Sequence, residues 1–452
     1  MSKTEGFYEF LTEDTDARIC ESIPDDQCTH LPKNFILNVF NGSLTKFAEK
    51  LISPGLTLPW ILSFLGAPLF LIGMLVPIKD IGSLLPQLLV SGKIREKRKR
   101  KPYWVAAGFT QGFCLLVSAI LLAFLDNQTL ISYAIVFLLL LFSIASGVGS
   151  VSFKDVTGKT VPKGERGQML SYRSTFGGCL ALITGGTLVF FLKGEDSKWL
   201  YVALFAIAAL LWIFASFIFS AIKEQPGSTE GGRTPLEEIK IGASLLKKDS
   251  SYRNFIITRA LLMAIPLLDP FFILLAKDVS KENWNYLGYI IVIGSLAQIV
   301  SSPIWGRLAD RSSLQLMRIS AGLSILSILY ALVFVYFDSE TLNFYYFMPV
   351  LFINGVAYSG ARLSRKTYII DYAPEKERPT YVSVANTLIG LFTIVAASFG
   401  LIAQHFGLAY QFWFFLLLLV ACITLSFTLF NLEIHLSIGS TIITIPAPPP
   451  YW

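Results

Sequence analysis

The chain has 452 residues, of which 54% are hydrophobic, 14% aromatic and only 15% charged, with a net charge of +6 and a mean hydropathy of +0.59. Soluble domains carry about 25% charged residues, and single aqueous cores stop growing near roughly 250–300 residues. This composition excludes a water-soluble enzyme or binding module and turns the surplus apolar side chains toward lipid. The basic residues sit in short segments between apolar runs, a pattern that membrane topology explains and a nucleic-acid partner does not.

The first 33 residues are polar and acidic, so no cleavable signal peptide is expected at the start. Cys20, Cys28 and His30 lie close together here, but their spacing fits no common zinc pattern and lacks a fourth ligand. The five cysteines, three of them within apolar runs, read as free thiols, and no metal or cofactor is expected. A membrane helix needs about 20 mostly apolar residues. Twelve such stretches follow one another: 34–55, 67–91, 103–125, 130–152, 169–192, 198–221, 254–276, 284–305, 318–337, 342–363, 382–404 and 410–432.

With both ends placed inside, the inner loops hold 26 Lys and Arg, and the outer loops hold four: Lys193, Lys198, Lys277 and Lys281. That asymmetry sets the orientation. The expected architecture is an all-α integral membrane protein of the plasma membrane or a bacterial inner membrane. It has a cytoplasmic acidic segment (1–33), a six-helix bundle (34–221), a cytoplasmic linker (222–253), a second six-helix bundle (254–432) and a cytoplasmic Pro-rich tail (433–452). In the linker, Thr234, Pro235 and Glu237 have the form of a capping box with Pro at the first helical position. Leu236, Ile239, Ala243 and Leu246 follow at helical spacing, which predicts a short amphipathic helix on the inner leaflet.

Ionisable residues inside a span are costly and propose a functional site. The first span carries Lys46, Glu49 and Lys50 on one face. Lys46 lies about 18 Å in from Asn34, where it can pair with Glu49; the alternative is that the helix ends early and all three snorkel outward. The second span places Lys79 and Asp80 near its middle, flanked by Pro77 and Pro86. Adjacent helical positions point about 100° apart, so the two need separate partners unless the prolines unwind the segment around a cavity. The seventh span carries Arg259 toward its inner end and Asp269 toward its outer end, with Asp269 pushed out of helical geometry by Pro270. Arg173, Arg362 and Arg365 lie near inner ends and read as structural.

Two charged hinges repeat. "VPKGERG" from Val161 and "APEKERP" from Ala373 place Pro162 and Pro374 212 residues apart, each followed after sixteen residues by a glycine, Gly178 and Gly390. Pro86 and Pro303 end the second and eighth spans, 217 residues apart. Two six-helix halves repeated in parallel describe one large class of transporters. "GRLADR" (306–311) resembles the signature loop of the major facilitator superfamily, with Gly306, Asp310 and Arg311 at that family's positions. The loop departs from the pattern where Ser312 and Ser313 replace its glycine and basic pair, and Lys93 stands in the place of the acid in the first-half copy.

The resemblance implies a monomer that moves a small-molecule substrate through the lipid bilayer, with no cofactor and with protons as a candidate coupling ion. It implies that the first, fourth, seventh and tenth spans line a central cavity, bringing Lys46, Glu49, Arg259 and Asp269 to the transport path and Lys79 with Asp80 to the junction of the halves. It gives Gly306, Asp310 and Arg311 the part of a cytoplasmic latch. Glu165, Arg166, Glu377 and Arg378 read either as further latch residues or as solvated pairs that fix a loop. The cations suggest an anionic or zwitterionic solute, and Glu49, Asp80 and Asp269 are the candidate proton carriers. Three histidines without a triad partner, and no Walker or dinucleotide fingerprint, argue against catalysis. The competing readings are a non-transporting sensor or scaffold that recruits a partner through its tails, and a lipid translocator.

Overall fold

The computed structural model describes residues 29–162, 165–191, 198–227, 229, 235–279, 286–337, 343–374 and 378–429. Most of the acidic segment 1–33 (with Cys20 and Cys28), Thr234, Glu377, the Arg378 side chain and the Pro-rich tail lie outside those residues. The described chain is helical almost throughout. In order it forms α1 (Leu31–Leu51), α2 (Thr57–Phe64), α3 (Leu69–Gly73), α4 (Leu75–Arg95), α5 (Lys101–Phe124), α6 (Gln128–Thr160), α7 (Glu165–Phe191) and α8 (Lys198–Ser220). After the linker come α9 (Pro235–Lys248), α10 (Ser250–Leu262), α11 (Ala264–Val279), α12 (Tyr286–Arg311), α13 (Ser313–Tyr336), α14 (Phe344–Tyr372), α15 (Arg378–Ala396), α16 (Gly400–Phe406) and α17 (Leu408–Ser426).

Among the described residues, nine helical segments are long and apolar enough to cross a membrane. Adding α1, α7 and α14, each of 21 residues or more, gives twelve segments of membrane-crossing length. Phe113, Phe124, Phe137 and Phe214 are exposed on these helices, which lipid tolerates and water penalises. The chain is an all-α integral membrane protein.

Helix contacts repeat between the halves. In the first, α5 packs on α8 and on α6, and α4 on α6; in the second, α13 packs on α17 and on α14, and α12 on α14. The halves meet along two seams, α7 on α12 and α4 on α15, with α3 on α16 extending the second. Glycines mark both. A Cβ at Gly288 of α12 would stand 2.8 Å from the Gly185 carbonyl oxygen of α7 and 2.9 Å from the Val189 nitrogen. One at Gly73 of α3 would stand 2.9 Å from Gly400 Cα of α16. Gly288 lies 215 residues after Gly73, and Gly400 lies 215 after Gly185, so the same backbone contact is made twice by the repeat. The glycines that follow the repeated hinges fall on these seams too: Gly178 faces Ile299, and Gly390 faces Leu84 and Leu85.

Helix breaks differ from the sequence expectation in an instructive way. Lys79 and Asp80 sit in continuous helix, and the interruption comes earlier, at Met74 between α3 and α4. A proline ring clashes with the carbonyl four residues back, and four residues before Pro77 is Gly73, the last residue of α3. Pro266 acts in the same way on Leu262, the last residue of α10. Asp269 is therefore helical as well, within α11, and Pro270 is accommodated there.

Candidate functional site

A cavity of about 230 Å³ lies between the halves, walled by Lys46, Glu49 and Lys50 of α1, Lys79 of α4, and Tyr358 and Arg362 of α14. A second, of about 100 Å³, reaches Asp269 of α11 and shares Lys50, Ser53, Gln298, Tyr358 and Arg362 with the first. The α1–α2 turn forms part of this wall because Gly55 brings backbone close to Asp269: a Cβ there would sit 3.1 Å from the carboxylate oxygen.

The charges are distributed unevenly. Lys46 Nζ donates to Glu49 Oε2 at 2.6 Å, one helical turn away, so that pair is internally neutral. Lys50 does not snorkel outward; its ammonium donates to the Gly294 carbonyl of α12 at 3.4 Å. Asp269 Oδ1 accepts from Asn354 Nδ2 at 2.6 Å, while Asn354 Oδ1 accepts from Ser324 Oγ at 2.8 Å. Neither Lys79 nor Arg362 has a hydrogen bond or ion pair with the described residues. The two cavities together hold four cations against two carboxylates, an excess of two positive charges.

The Ser324–Asn354–Asp269 chain yields a direct test. Asn354 is buried and its replacement by leucine strands a carboxylate and a hydroxyl. The loss of such bonds costs about 1–3 kcal/mol, so Asn354→Leu is expected to lower the melting temperature by several degrees in detergent; an unchanged melting curve would remove this chain from the site's framework.

Of the residues singled out in the sequence, Lys46, Glu49 and Lys79 come together on the larger cavity and Asp269 lies on the smaller one beside it. Asp80 and Arg259 line neither. Asp80 is half-buried on another face of α4, as the roughly 100° step between neighbours requires. Arg259 is buried in α10 and donates to Asn386 Oδ1 at 2.8 Å. Arg362 moves the other way. The apolar run suggested a span ending near residue 363, but α14 continues to Tyr372, so Arg362 stands about 15 Å from the helix end and on the cavity. Arg173 remains buried against the Phe153 ring, 4.3 Å from its centroid.

The loop residues also rearrange. Asp155 pairs with Arg100 and, at 2.7 Å, with Lys159, rather than with an arginine of the hinges. Arg166 donates to the carbonyls of Val161 and Gly158 at 2.8 and 2.6 Å, which ties its own turn. Glu165 is buried at the start of α7. Asp310 and Arg311 are exposed at the end of α12 and make no ion pair with the described residues, and a Cβ at Gly306 would meet open space. Sequence reasoning passed over Glu224, whose carboxylate accepts from the Arg100 and Lys101 amides at 2.9 and 2.7 Å and from Lys159 at 3.1 Å. No pattern in the linker marks it out.

Residues 267–441 match the Major Facilitator Superfamily, and the fold is similar to that of solved transporters. The second half of the chain is thus similar to the major facilitator superfamily. Among relatives of the chain, an uncharacterized Mycobacterium tuberculosis protein is 24% identical over 58% of the chain and 51% of its own length. The multi-drug resistance efflux pump PmrA of Streptococcus pneumoniae is 26% identical over 35% of the chain and 38% of the pump. The chain thus spans about half the length, or less, of the curated relatives it matches. The crystal structure of a D-xylose-proton symporter superposes with a TM-score of 0.66 at 13% identity, covering 88% of this chain and 98% of that one.

Proposed function

We propose that the protein is a secondary transporter that carries a small anionic or zwitterionic solute by alternating access. The observation that carries this reading is a pair of adjoining charged cavities walled by both halves and closed toward one membrane face. On the face opposite the basic loops, Lys277 Nζ of α11 donates to the Ser63 carbonyl of α2 at 2.9 Å, and the Gly73–Gly400 and Gly185–Gly288 contacts seal both seams. On the basic face, Asp310 and Arg311 make no ion pair with the described residues. An arrangement closed on one side and unlatched on the other is one end of a two-state cycle, and a ligand that touches both halves biases that equilibrium.

In this reading the basic loops and both termini are cytoplasmic, and Asp310 with Arg311 engages when the halves rock to close the inner side. Glu49 and Asp269 are the carboxylates placed to couple solute movement to protons, since Asp80 lies off the cavity. Counterflow of labelled organic anions, amino acids and sugars in proteoliposomes tests the proposal. An accelerated exchange of at least one solute class is expected, reduced tenfold or more by Lys79→Gln. Failure of a broad panel, with tail-dependent capture of a partner instead, would favour a scaffold.

A further inference from the structure

The larger cavity has two chemically different ends. One is the cationic wall described above, where Lys46 is already neutralised by Glu49, Lys50 is held to a carbonyl and Asp269 is bound to Asn354. That leaves Lys79 in the first half and Arg362 in the second as the cavity charges with no hydrogen bond or ion pair to the described residues, and both line the same space. Two like charges facing one cavity from opposite halves repel each other until an anion sits between them.

The other end is an arm running into the first half between α5, α6 and α8, where Leu115, Ile135, Leu139, Phe205 and Trp212 line the cavity and are buried. Serines occur here too, but they do not make the arm polar. Ser118 Oγ donates to the Cys114 carbonyl at 2.9 Å and Ser143 Oγ to the Leu139 carbonyl at 2.7 Å, so their protons are engaged one turn back along their own helices. The polar groups left in the arm are the serine lone pairs and the Trp212 indole N–H, which has no partner among the described residues, so a sugar or a short polar zwitterion would leave most of its hydroxyls or its charges unmatched there. An apolar or aromatic group fits it.

We propose that the site takes an amphipathic organic anion, with its acidic group held between Lys79 and Arg362 and its apolar body lying in the α5–α6–α8 arm. The assignment rests on the transporter reading for the movement of the ligand but not for its binding. Because the acidic group touches both halves, it also draws them together at the cavity, so the residues that select the anion are those that bias the cycle.

Sulfonates keep their charge at every working pH and do not cross membranes passively, which makes them suitable probes. Binding is measured by calorimetry on the full chain in nanodiscs with phenylethanesulfonate, octanesulfonate, methanesulfonate, phenylethylammonium and phenylethanol. Burial of an aromatic or alkyl body is expected to make the first two bind roughly 10–100-fold more tightly than methanesulfonate, with no detectable binding of the ammonium. Preference for the octyl chain assigns a lipid-derived anion, and preference for the phenyl ring a soluble aromatic acid. Lys79→Gln and Arg362→Gln are each expected to weaken phenylethanesulfonate about tenfold or more, while Arg362→Lys restores part of the loss and so separates charge from misfolding. Leu139→Trp, which fills the arm, removes the advantage of the aromatic body. Equal affinity for methanesulfonate and phenylethanesulfonate, binding of the ammonium, or full sulfonate affinity in both glutamine variants overturns the proposal. Counterflow of the same compounds separates the two ideas. A sulfonate that binds and is not moved defeats transport alone; a neutral or cationic solute that is moved, with no sulfonate bound, defeats this assignment alone.

Discussion

Gly288→Leu is expected to force open the face of the cavity that the seams close. Its Cβ would lie 2.8 Å from the Gly185 carbonyl oxygen and 2.9 Å from the Val189 nitrogen. Both are backbone atoms of α7, so no side chain can turn aside and the helices must part. Overpacking of this kind costs about 1–3 kcal/mol, and the cost falls only on the state in which the seam is shut. The equilibrium between the two ends of the cycle therefore moves by roughly 10–100-fold. Gly73→Leu does the same at the repeat-related seam, where the clash is with Gly400 Cα at 2.9 Å, and the two effects add because the seams share no residues. A Ser53→Cys reporter on the wall of both cavities, in a background whose five native cysteines (Cys114 lines the same cavity) are replaced by serine, reads the change. With an impermeant maleimide, the parent protein labels from the basic face and the double glycine variant from the opposite face. Labelling that keeps its side in the double variant would show that these glycines serve packing and not closure.

The largest effect on stability is expected at Glu224. Its carboxylate is fully buried and accepts from two backbone amides at the start of α5 as well as from Lys159 of α6. It thereby closes the turn between α4 and α5 onto the end of α8. Ser152 Oγ donates to the Arg100 carbonyl, and the Gly227 amide donates to the Arg98 carbonyl at 2.8 Å, so the whole corner is cross-linked by backbone groups. Glu224→Ala strands two amides and takes one of two carboxylates from the Lys159 ammonium. Breaking a buried pair on one side costs about 3–5 kcal/mol; Lys159 keeps Asp155, which places the expected loss near about 3 kcal/mol. Glu224→Gln retains an acceptor for the amides and is expected to recover about half. Melting curves in detergent, followed by fluorescence-detected gel filtration, test the order parent, Gln, Ala. Equal melting temperatures for the three would mean that the corner is held by its other bonds.

Much of the architecture can be read from residue patterns because lipid imposes a simple rule. A segment that crosses the bilayer must be helical and mostly apolar along about 20 residues, so runs such as 130–152 declare themselves. The repeat is legible through its prolines and glycines, since a proline acts at a fixed distance back along its own helix. Even there spacing leaves the location of the effect open: the unwinding that is one alternative for Lys79 and Asp80 occurs at Met74, three residues before the Pro77 ring. The length of α14 was hidden for a related reason. Apolarity marks the lipid-embedded part of a helix, and the polar stretch beyond Arg362 stays helical where Arg365 donates to Met263 Sδ and Tyr372 Oη to the Asp249 carboxylate.

The sequence by itself determined that this chain crosses the membrane as a helical tandem repeat with its positive charge gathered on one side, because those features depend on local composition and on spacing along a single helix. Only the tertiary structure decided which charges meet. Lys46 and Glu49 pair one turn apart, a contact that spacing already permits, but the partnering of Asp269 with Asn354, the turning of Asp80 away from Lys79's cavity and the convergence of Lys79 with Arg362 depend on how helices from two halves are rotated and set against each other. That rotation is fixed by packing across the seams, where four glycines let backbones touch, and no single span carries the information to predict it.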